Sequence, residues 1–181
     1  STFSKTVYPG LRLGWIWANK KLIYRLSNIR QLMDLHSSCI SQLIVERFIA
    51  SGEMEKYLSL IRREYRDGRD IMMDALKTYA PPGLTWNHPD GGYYLWCRLP
   101  EGLPADLLAT QAAQNGVAVL PGTPFYLPGQ KGENYIRLNY TFPPRNRIAE
   151  GIRVLCEVIR KLTVSEKEDG AFSDGEISPI L

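Results

Sequence analysis

The sequence comprises 181 residues, of which 44% are hydrophobic and 23% are charged, with a formal net charge of +3. This composition is typical of a globular protein and excludes a fibrous or wholly disordered chain. The positive charge is mild and the arginines that produce it are scattered, so the sequence does not indicate nucleic-acid binding by this segment.

Membrane insertion and metal binding are not indicated either. No stretch approaches the roughly 18 apolar residues of a membrane span, and the first residues lack the pattern of a secretory signal. We therefore expect a cytoplasmic location and no membrane partner. Cys39, Cys97 and Cys156 are odd in number and far apart, without the spacing of a zinc site or a disulfide framework. We expect reduced thiols and no bound metal.

One strand and three helices are predicted in the first eighty residues. An apolar run over residues 11–18 indicates a short buried strand. Helical periodicity extends over residues 20–33, and Ser37 or Ser38 can cap a second helix that reaches Ala50. A third and longer helix is predicted from Glu53 to Tyr79, where apolar residues recur every three or four positions.

The remaining chain alternates strands with helices. A proline- and glycine-containing break at residues 80–83 ends the long helix and marks a candidate domain boundary. Apolar runs separated by turn residues then predict strands at residues 85–87, 93–99, 117–120 and 135–140. Helices are predicted over residues 104–114 and from the Pro143-Pro144 pair to Leu162.

The most specific pattern lies in residues 1–14, which read S-T-F-S-K-T-V-Y-P-G-L-R-L-G. This segment resembles the cofactor-lysine segment of class I/II, fold-type I aminotransferases, enzymes that use pyridoxal 5′-phosphate (PLP). The recurring form in that family is S/T-x-S-K-x-x-x-P-G-x-R-x-G. The resemblance implies that Lys5 is the catalytic lysine that holds PLP as a Schiff base. It also implies that Thr2, Ser4 and Arg12 bind the cofactor phosphate.

The chemistry of these residue types suits the implied roles. A lysine attacks an aldehyde as the neutral amine, so a site that activates it needs desolvation or a neighbouring cation. The planar guanidinium of an arginine offers two parallel charge-assisted hydrogen bonds, which match a phosphate dianion. PLP itself serves as an electron sink for a substrate carbanion.

Three further motifs of the same family follow in the expected order. Residues 89–100 resemble the P-x-G-G-x-F/Y-x-W-x-x-L-P strand that opens its small domain, and residues 116–126 resemble its G-V-x-x-x-P-G-x-x-F segment. Residues 135–139, Y-I-R-L-N, resemble its I/L-R-L-N/S strand. In the family the arginine of this last motif binds the substrate α-carboxylate, which implies that role for Arg137. An arginine between Ile136 and Leu138 on an apolar strand also calls for an anionic partner.

The resemblance implies a fold of mixed α/β and α+β class, namely the C-terminal part of a fold-type I PLP-dependent transferase. It divides the chain into a remnant of the large PLP-binding domain at residues 1–52, a connecting helix at 53–80 and a small α+β domain at 81–163. Residues 164–181 are polar and acidic at first, and we expect a flexible tail there.

Two classes of parent protein are compatible with these motifs. One is a transcriptional regulator of the MocR type in the GntR superfamily, which carries an aminotransferase-like domain behind a DNA-binding domain. The sequence G-G-Y-Y-L-W-C-R-L-P at residues 91–100 and the acidic tail favour this class. DNA binding would then reside in an upstream domain outside this sequence. The alternative is a free-standing α-amino-acid aminotransferase of the aminoadipate or kynurenine type, which transfers an amino group to a 2-oxo acid. In either class the ligand is an amino acid or a 2-oxo acid.

The family pattern also includes residues that this sequence lacks. An earlier stretch of about equal length supplies the aromatic ring that stacks on the PLP pyridine and the aspartate that pairs with its nitrogen. We therefore expect these 181 residues alone to show no transaminase activity and weak or absent PLP binding. The family resemblance implies a homodimer, and apolar surface at residues 11–18 and 20–50 is expected to promote self-association.

Overall fold

The fold is taken from a computed structural model that describes residues 1–127 and 132–171. It contains five α-helices and four β-strands among those residues, so the predicted mixed class is confirmed. The helices are α1 (Lys20–Asp34), α2 (Cys39–Ala50), α3 (Glu53–Tyr79), α4 (Ala105–Gln114) and α5 (Arg145–Ala171). The strands are β1 (Thr85–Trp86), β2 (Tyr94–Arg98), β3 (Leu120–Pro121) and β4 (Tyr135–Asn139).

The chain forms two compact units, one comprising Ser1–Arg63 and the other beginning at Glu64. The division falls within α3, whereas the sequence pattern placed domain boundaries at both ends of that helix. The domain boundaries predicted from the sequence therefore stay a prediction, and the two units are described separately below.

The first unit consists mainly of α1 and α2. Both helices begin where a polar side chain can cap them, because the side-chain oxygen of Asn19 accepts a hydrogen bond from the Leu22 amide and that of Ser38 from the Ser41 amide. Only Leu13 and Val45 are buried hydrophobic residues in this unit. The apolar face of α1 is exposed, as expected from the sequence, while self-association of this face stays a prediction.

The strand predicted at residues 11–18 is wrong. A short 3₁₀ helix occupies Pro9–Leu11, and the following segment pairs with the N-terminus only through an isolated bridge between Thr2 and Gly14. The Trp17 side chain is 90% exposed. A buried strand needs hydrogen-bonded neighbours on both edges and packing on its faces, whereas this segment pairs only with residues 1–3 and has Leu13 as its one buried residue.

The second unit is a four-stranded antiparallel sheet in the order β1-β2-β4-β3 with helices packed on one face. Strands β2 and β4 align Leu95 with Leu138 and Cys97 with Ile136, and these four residues point into the core. The core is completed by fully buried residues from the three helices and the connecting loops: Leu76, Leu99, Leu103, Leu108, Leu155, Cys156 and Ile159.

Two predicted element ends differ from the structure. The strand predicted at residues 117–120 is only the residue pair Leu120–Pro121, and the preceding residues form a loop after α4. The last helix does not stop at Leu162 but continues to Ala171, so residues 164–171 are helical, while the flexibility expected of this tail stays a prediction. The rest of that predicted tail, residues 172–181, lies outside the described residues.

The three cysteines differ sharply in accessibility, which leads to a first testable prediction. Cys39 is exposed, whereas Cys97 and Cys156 are buried, and burial raises the pKa of the Cys97 thiol to about 12 and that of Cys156 to about 11. One thiol should therefore react with a disulfide reagent in the native protein and all three after denaturation. Cys39→Ser should remove the native reaction. Rapid reaction of two or more thiols in the native protein would contradict the burial of Cys97 and Cys156.

The same pKa values give a pH dependence of stability. The ordinary pKa of a thiol in the unfolded chain is 9.0, so the folded thiols release their protons at higher pH than the unfolded ones. Between the two pKa values the folded chain therefore binds more protons than the unfolded chain. Their contribution to stability is complete below pH 9.0 and falls as the pH rises through the folded pKa values. In denaturant melts, the free energy of unfolding of the native chain should fall more steeply above pH 9.0 than that of Cys97→Ala, and an equal pH dependence would contradict the prediction.

Candidate functional site

The predicted cofactor lysine lies in a tight turn at the N-terminus of the first unit. The Phe3 carbonyl accepts hydrogen bonds from the amides of Thr6 and Val7, at 3.2 and 2.8 Å, so the chain reverses around Lys5. The Thr2 hydroxyl accepts a hydrogen bond from the Ser4 amide at 3.1 Å. Lys5 is exposed at the outside of this turn.

A second turn brings Arg12 back to the first. Arg12 adopts the left-handed conformation, with φ 51° and ψ 39°, directly after the 3₁₀ helix. This conformation is costly for a non-glycine residue, by about 1–2 kcal/mol. Its guanidinium Nη1 donates to the Ser4 hydroxyl at 3.4 Å and to the Pro9 carbonyl at 3.1 Å. The backbone of residue 12 therefore directs its side chain toward the hydroxyl residues.

Backbone pairing fixes the two turns against each other. The Phe3 amide donates to the Leu13 carbonyl at 3.0 Å, and the Trp15 amide donates to the Ser1 carbonyl at 2.9 Å. Between them, Gly14 lies so close to the N-terminal segment that a Cβ atom would stand 2.8 Å from the Ser1 carbonyl oxygen. Glycine is thus the residue that allows this approach.

The structure brings together three of the four predicted cofactor residues by direct contact. The Thr2 hydroxyl donates to the Ser4 hydroxyl at 3.0 Å, and Arg12 contacts Ser4 in turn. Lys5 follows Ser4 in the same turn. Two hydroxyls and one guanidinium form a donor set that fits a phosphate dianion, because each can donate to a phosphate oxygen and the guanidinium supplies positive charge. The residues present therefore fit the phosphate end of PLP.

The predicted carboxylate-binding residue lies in the second unit, on β4. Arg137 is half-buried and pairs with Trp96 of β2 and Leu120 of β3. Its guanidinium carbon lies 4.0 Å from the ring centre of Tyr94 and 4.5 Å from that of Phe125. Among the described residues, none accepts a hydrogen bond or forms an ion pair with this guanidinium. The expected anionic partner is thus not supplied by that part of the chain.

Sequence reasoning missed the two rings that flank Arg137. Tyr94 falls within the motif at residues 89–100 and Phe125 within that at residues 116–126, but neither motif assigned a role to its ring. The signal for Tyr94 was present, since side chains that alternate along paired strands place Tyr94, Trp96 and Arg137 on one face of the sheet. No comparable signal existed for Phe125, because it reaches the sheet from a short 3₁₀ helix at Thr123–Phe125.

Within residues 1–127 and 132–171 no cluster of histidine, cysteine or acidic side chains could hold a metal ion. In those ranges no helix is both long enough and apolar enough to cross a bilayer.

Comparison with known proteins gives the following similarities. A sequence profile of the family "Aminotransferase class I and II" matches residues 1–155. Aromatic-amino-acid aminotransferase 1 of Thermococcus litoralis is 38% identical over 160 residues, which are 88% of this chain and 38% of that protein. An HTH-type transcriptional regulator of Bacillus subtilis, YisV, itself uncharacterized, is 34% identical over 163 residues, 90% of this chain and 33% of the regulator.

Solved structures agree with the sequence comparisons. The crystal structure of LysN, an α-aminoadipate aminotransferase from Thermus thermophilus complexed with N-(5′-phosphopyridoxyl)-L-leucine, matches with a TM-score of 0.86 and 34% identity. The match covers 91% of this chain and 42% of LysN. The chain thus spans about two fifths or less of the length of these relatives. The profile match, the fold and the local geometry lead to one conclusion: this chain belongs to the class I and II aminotransferase family.

Proposed function

We propose that this chain carries the cofactor lysine and the carboxylate-binding arginine of a PLP-binding, aminotransferase-like domain. The observation that carries the proposal is the contact of Thr2, Ser4 and Arg12 in the turn that contains Lys5. In this proposal the hydroxyls and the guanidinium bind the PLP phosphate, and Lys5 bonds covalently to the cofactor. PLP, when bound, supplies an electron sink for a carbanion at the substrate α-carbon.

The chain's own residues would orient the ligand. Arg12 would bind the phosphate group and neutralise its charge, so that the cofactor is held beside Lys5. The Lys5 amine is then not needed for phosphate binding. Arg137 takes the α-carboxylate of an amino acid or a 2-oxo acid. Its N–H groups have no acceptor among the described residues, and a carboxylate is the acceptor that matches a guanidinium in two parallel hydrogen bonds.

The class of the parent protein is a further part of the proposal. We place the chain in a MocR-type regulator, in which ligand binding by this domain would control an upstream DNA-binding domain, with a homodimer as the expected assembly and the cytoplasm as its location. The 34% identity to the Bacillus regulator over 90% of the chain supports this assignment. The alternative, a free-standing amino-acid aminotransferase, is supported by the 38% identity to the Thermococcus enzyme.

The gene that encodes this chain distinguishes the two parents. A winged-helix domain and linker upstream of Ser1 would establish the regulator, and the full-length product should then bind DNA in a manner altered by PLP. An open reading frame that begins shortly before a cofactor domain would establish the enzyme. That product should convert an amino acid and a 2-oxo acid, and the 181-residue chain alone should not.

The role of Arg137 can be tested on the chain itself. Arg137→Ala is expected to raise the Kd for pyruvate, a simple 2-oxo acid, about ten- to hundredfold, because charged hydrogen bonds contribute about 1.5–3 kcal/mol. NMR titration of the backbone amide signals of β4, which both proteins retain, measures this effect. Arg98→Ala is the matched control, since Arg98 is an exposed arginine at the end of β2. Equal binding by Arg137→Ala and the native chain would refute the assigned role.

A further inference from the structure

The sheet of the second unit has an outer face on which aromatic rings surround one arginine. Side chains alternate along β2 and β4, so that every second residue points away from the core, and the first two outward residues of each strand are half-buried. The half-buried residues on this outer face are Tyr94, Trp96, Tyr135 and Arg137, and the exposed residues Arg98 and Asn139 share the face at the strand ends. Phe125 and Tyr126 join them from the loop that follows β3. Arg137 is therefore a half-buried cation among aromatic rings.

The contacts of Arg137 differ from those of an arginine held in a salt bridge. Its guanidinium lies over the rings of Tyr94 and Phe125, at 4.0 and 4.5 Å from the ring centres. The negative face of an aromatic ring attracts a cation without accepting its N–H groups as a carboxylate would. These two rings can therefore fix the guanidinium and leave its donors for a ligand.

The rings are themselves held in place. Phe125 meets Trp96 edge to face at 5.6 Å, and Trp96 stacks on Tyr135 with 5.9 Å between ring centres. Tyr94 contacts Tyr93 at 6.1 Å, and Tyr93 contacts Tyr65 of α3 at 5.1 Å. Each flanking ring thus rests on a further ring. A mobile arginine loses rotamer freedom when it binds, whereas an arginine fixed in this way has lost it beforehand.

We propose that Tyr94 and Phe125 are positioning residues for Arg137, which hold its guanidinium ready for the carboxylate of an amino acid or a 2-oxo acid. This inference rests on the proposed function, because it assigns a task to Arg137 that only a carboxylate ligand would use. Neither residue contacts the ligand's carboxylate in this proposal. Both act through the arginine.

Substitutions that remove one ring test the proposal on the full 181-residue chain. Phe125→Leu and Tyr94→Leu should each raise the Kd for pyruvate about five- to thirtyfold, as expected for loss of a partly desolvated cation–π contact. Phe125→Tyr and Tyr94→Phe keep the ring and should restore affinity close to that of the native chain. Methyl pyruvate, which lacks the carboxylate charge, should bind weakly to all of these variants and to the native chain alike.

A matched control separates this role from general packing. Tyr126→Leu removes a ring that contacts Trp96 and Tyr135, for which no contact with the Arg137 guanidinium is seen in the described part of the chain. This variant should bind pyruvate like the native chain. An equal loss of affinity in Tyr126→Leu would overturn the proposal, because the effect would then belong to the aromatic surface as a whole.

A second measurement needs no substitution. ¹⁵N relaxation of the Nε–H groups should show Arg137 ordered and Arg98 mobile in the native chain without ligand, and a mobile Arg137 would overturn the proposal. If both leucine variants bind like the native chain while Arg137→Ala does not, the positioning role is refuted and the proposed function stands. If Arg137→Ala also binds normally, the proposed function itself fails.

Discussion

Lys5→Ala is expected to abolish specific covalent capture of PLP by this chain. Reduction of a mixture of chain and PLP with borohydride converts a lysine–aldehyde adduct into a stable secondary amine, which peptide mass spectrometry locates. We expect label at Lys5 even where equilibrium binding is weak, because Thr2, Ser4 and Arg12, which are in contact, would hold the phosphate next to it in the proposed site. In the proposed role Lys5 forms the bond, so its removal should eliminate the labelled peptide.

The chain provides its own controls for this experiment. Lys20 and Lys21 are exposed on α1 and report nonspecific labelling. Arg12→Gly removes the guanidinium that is proposed to bind the phosphate and permits the same left-handed backbone. It should lower labelling of Lys5 about tenfold or more, the effect of one charge-assisted hydrogen bond. Equal labelling of Lys5, Lys20 and Lys21 in the native chain would show that Thr2, Ser4 and Arg12 do not direct PLP to Lys5.

Gly68→Ala is expected to destabilise the second unit although alanine favours helices. Gly68 lies inside α3, where replacing glycine with alanine normally stabilises by about 1 kcal/mol. A Cβ atom at this position would stand 2.5 Å from the Tyr140 carbonyl oxygen, which belongs to the backbone and cannot rotate away. The resulting shift of α3 or of the chain after β4 should cost more than the propensity gain. We expect a net loss of about 1–3 kcal/mol in the free energy of unfolding.

Gly151→Ala is the matched control for this prediction. Gly151 lies inside α5, and a Cβ atom there would meet nothing within 4 Å. The free energy of unfolding should therefore rise by about 1 kcal/mol, the ordinary preference for alanine in a helix. Urea denaturation followed by circular dichroism measures both variants. Stabilisation by both substitutions would contradict the close approach of α3 to Tyr140.

Local patterns predicted most of the helical structure. The three-and-four spacing of apolar residues identified α3 with its observed ends, and the polar residue at position 38 caps α2 as expected. The strand predicted at residues 11–18 was wrong because the hydrophobicity of a segment does not show which neighbouring residues would bury it. Its tryptophans are exposed in the first unit, so the apolar character of this segment is not matched by packing among the described residues.

The candidate site was predictable to the extent that its contacts are local. Thr2, Ser4 and Arg12 are close in sequence, and two turns suffice to bring them into contact. The surroundings of Arg137 depend instead on strand register and on Phe125, which comes from another segment. The sequence pattern of β4 shows that Arg137 lies on an otherwise apolar strand. It does not show that aromatic rings, and not an acidic side chain, are its neighbours.

The stacking of Trp96 on Tyr135 has a spectroscopic consequence. Rings held in a fixed mutual orientation give a near-ultraviolet circular dichroism signal that disappears when tertiary packing loosens. Their planes differ by 18°, and they lie on the same face as the carboxylate-binding candidate. The chain therefore contains an intrinsic optical reporter next to Arg137, which can follow the order of that surface without any added label.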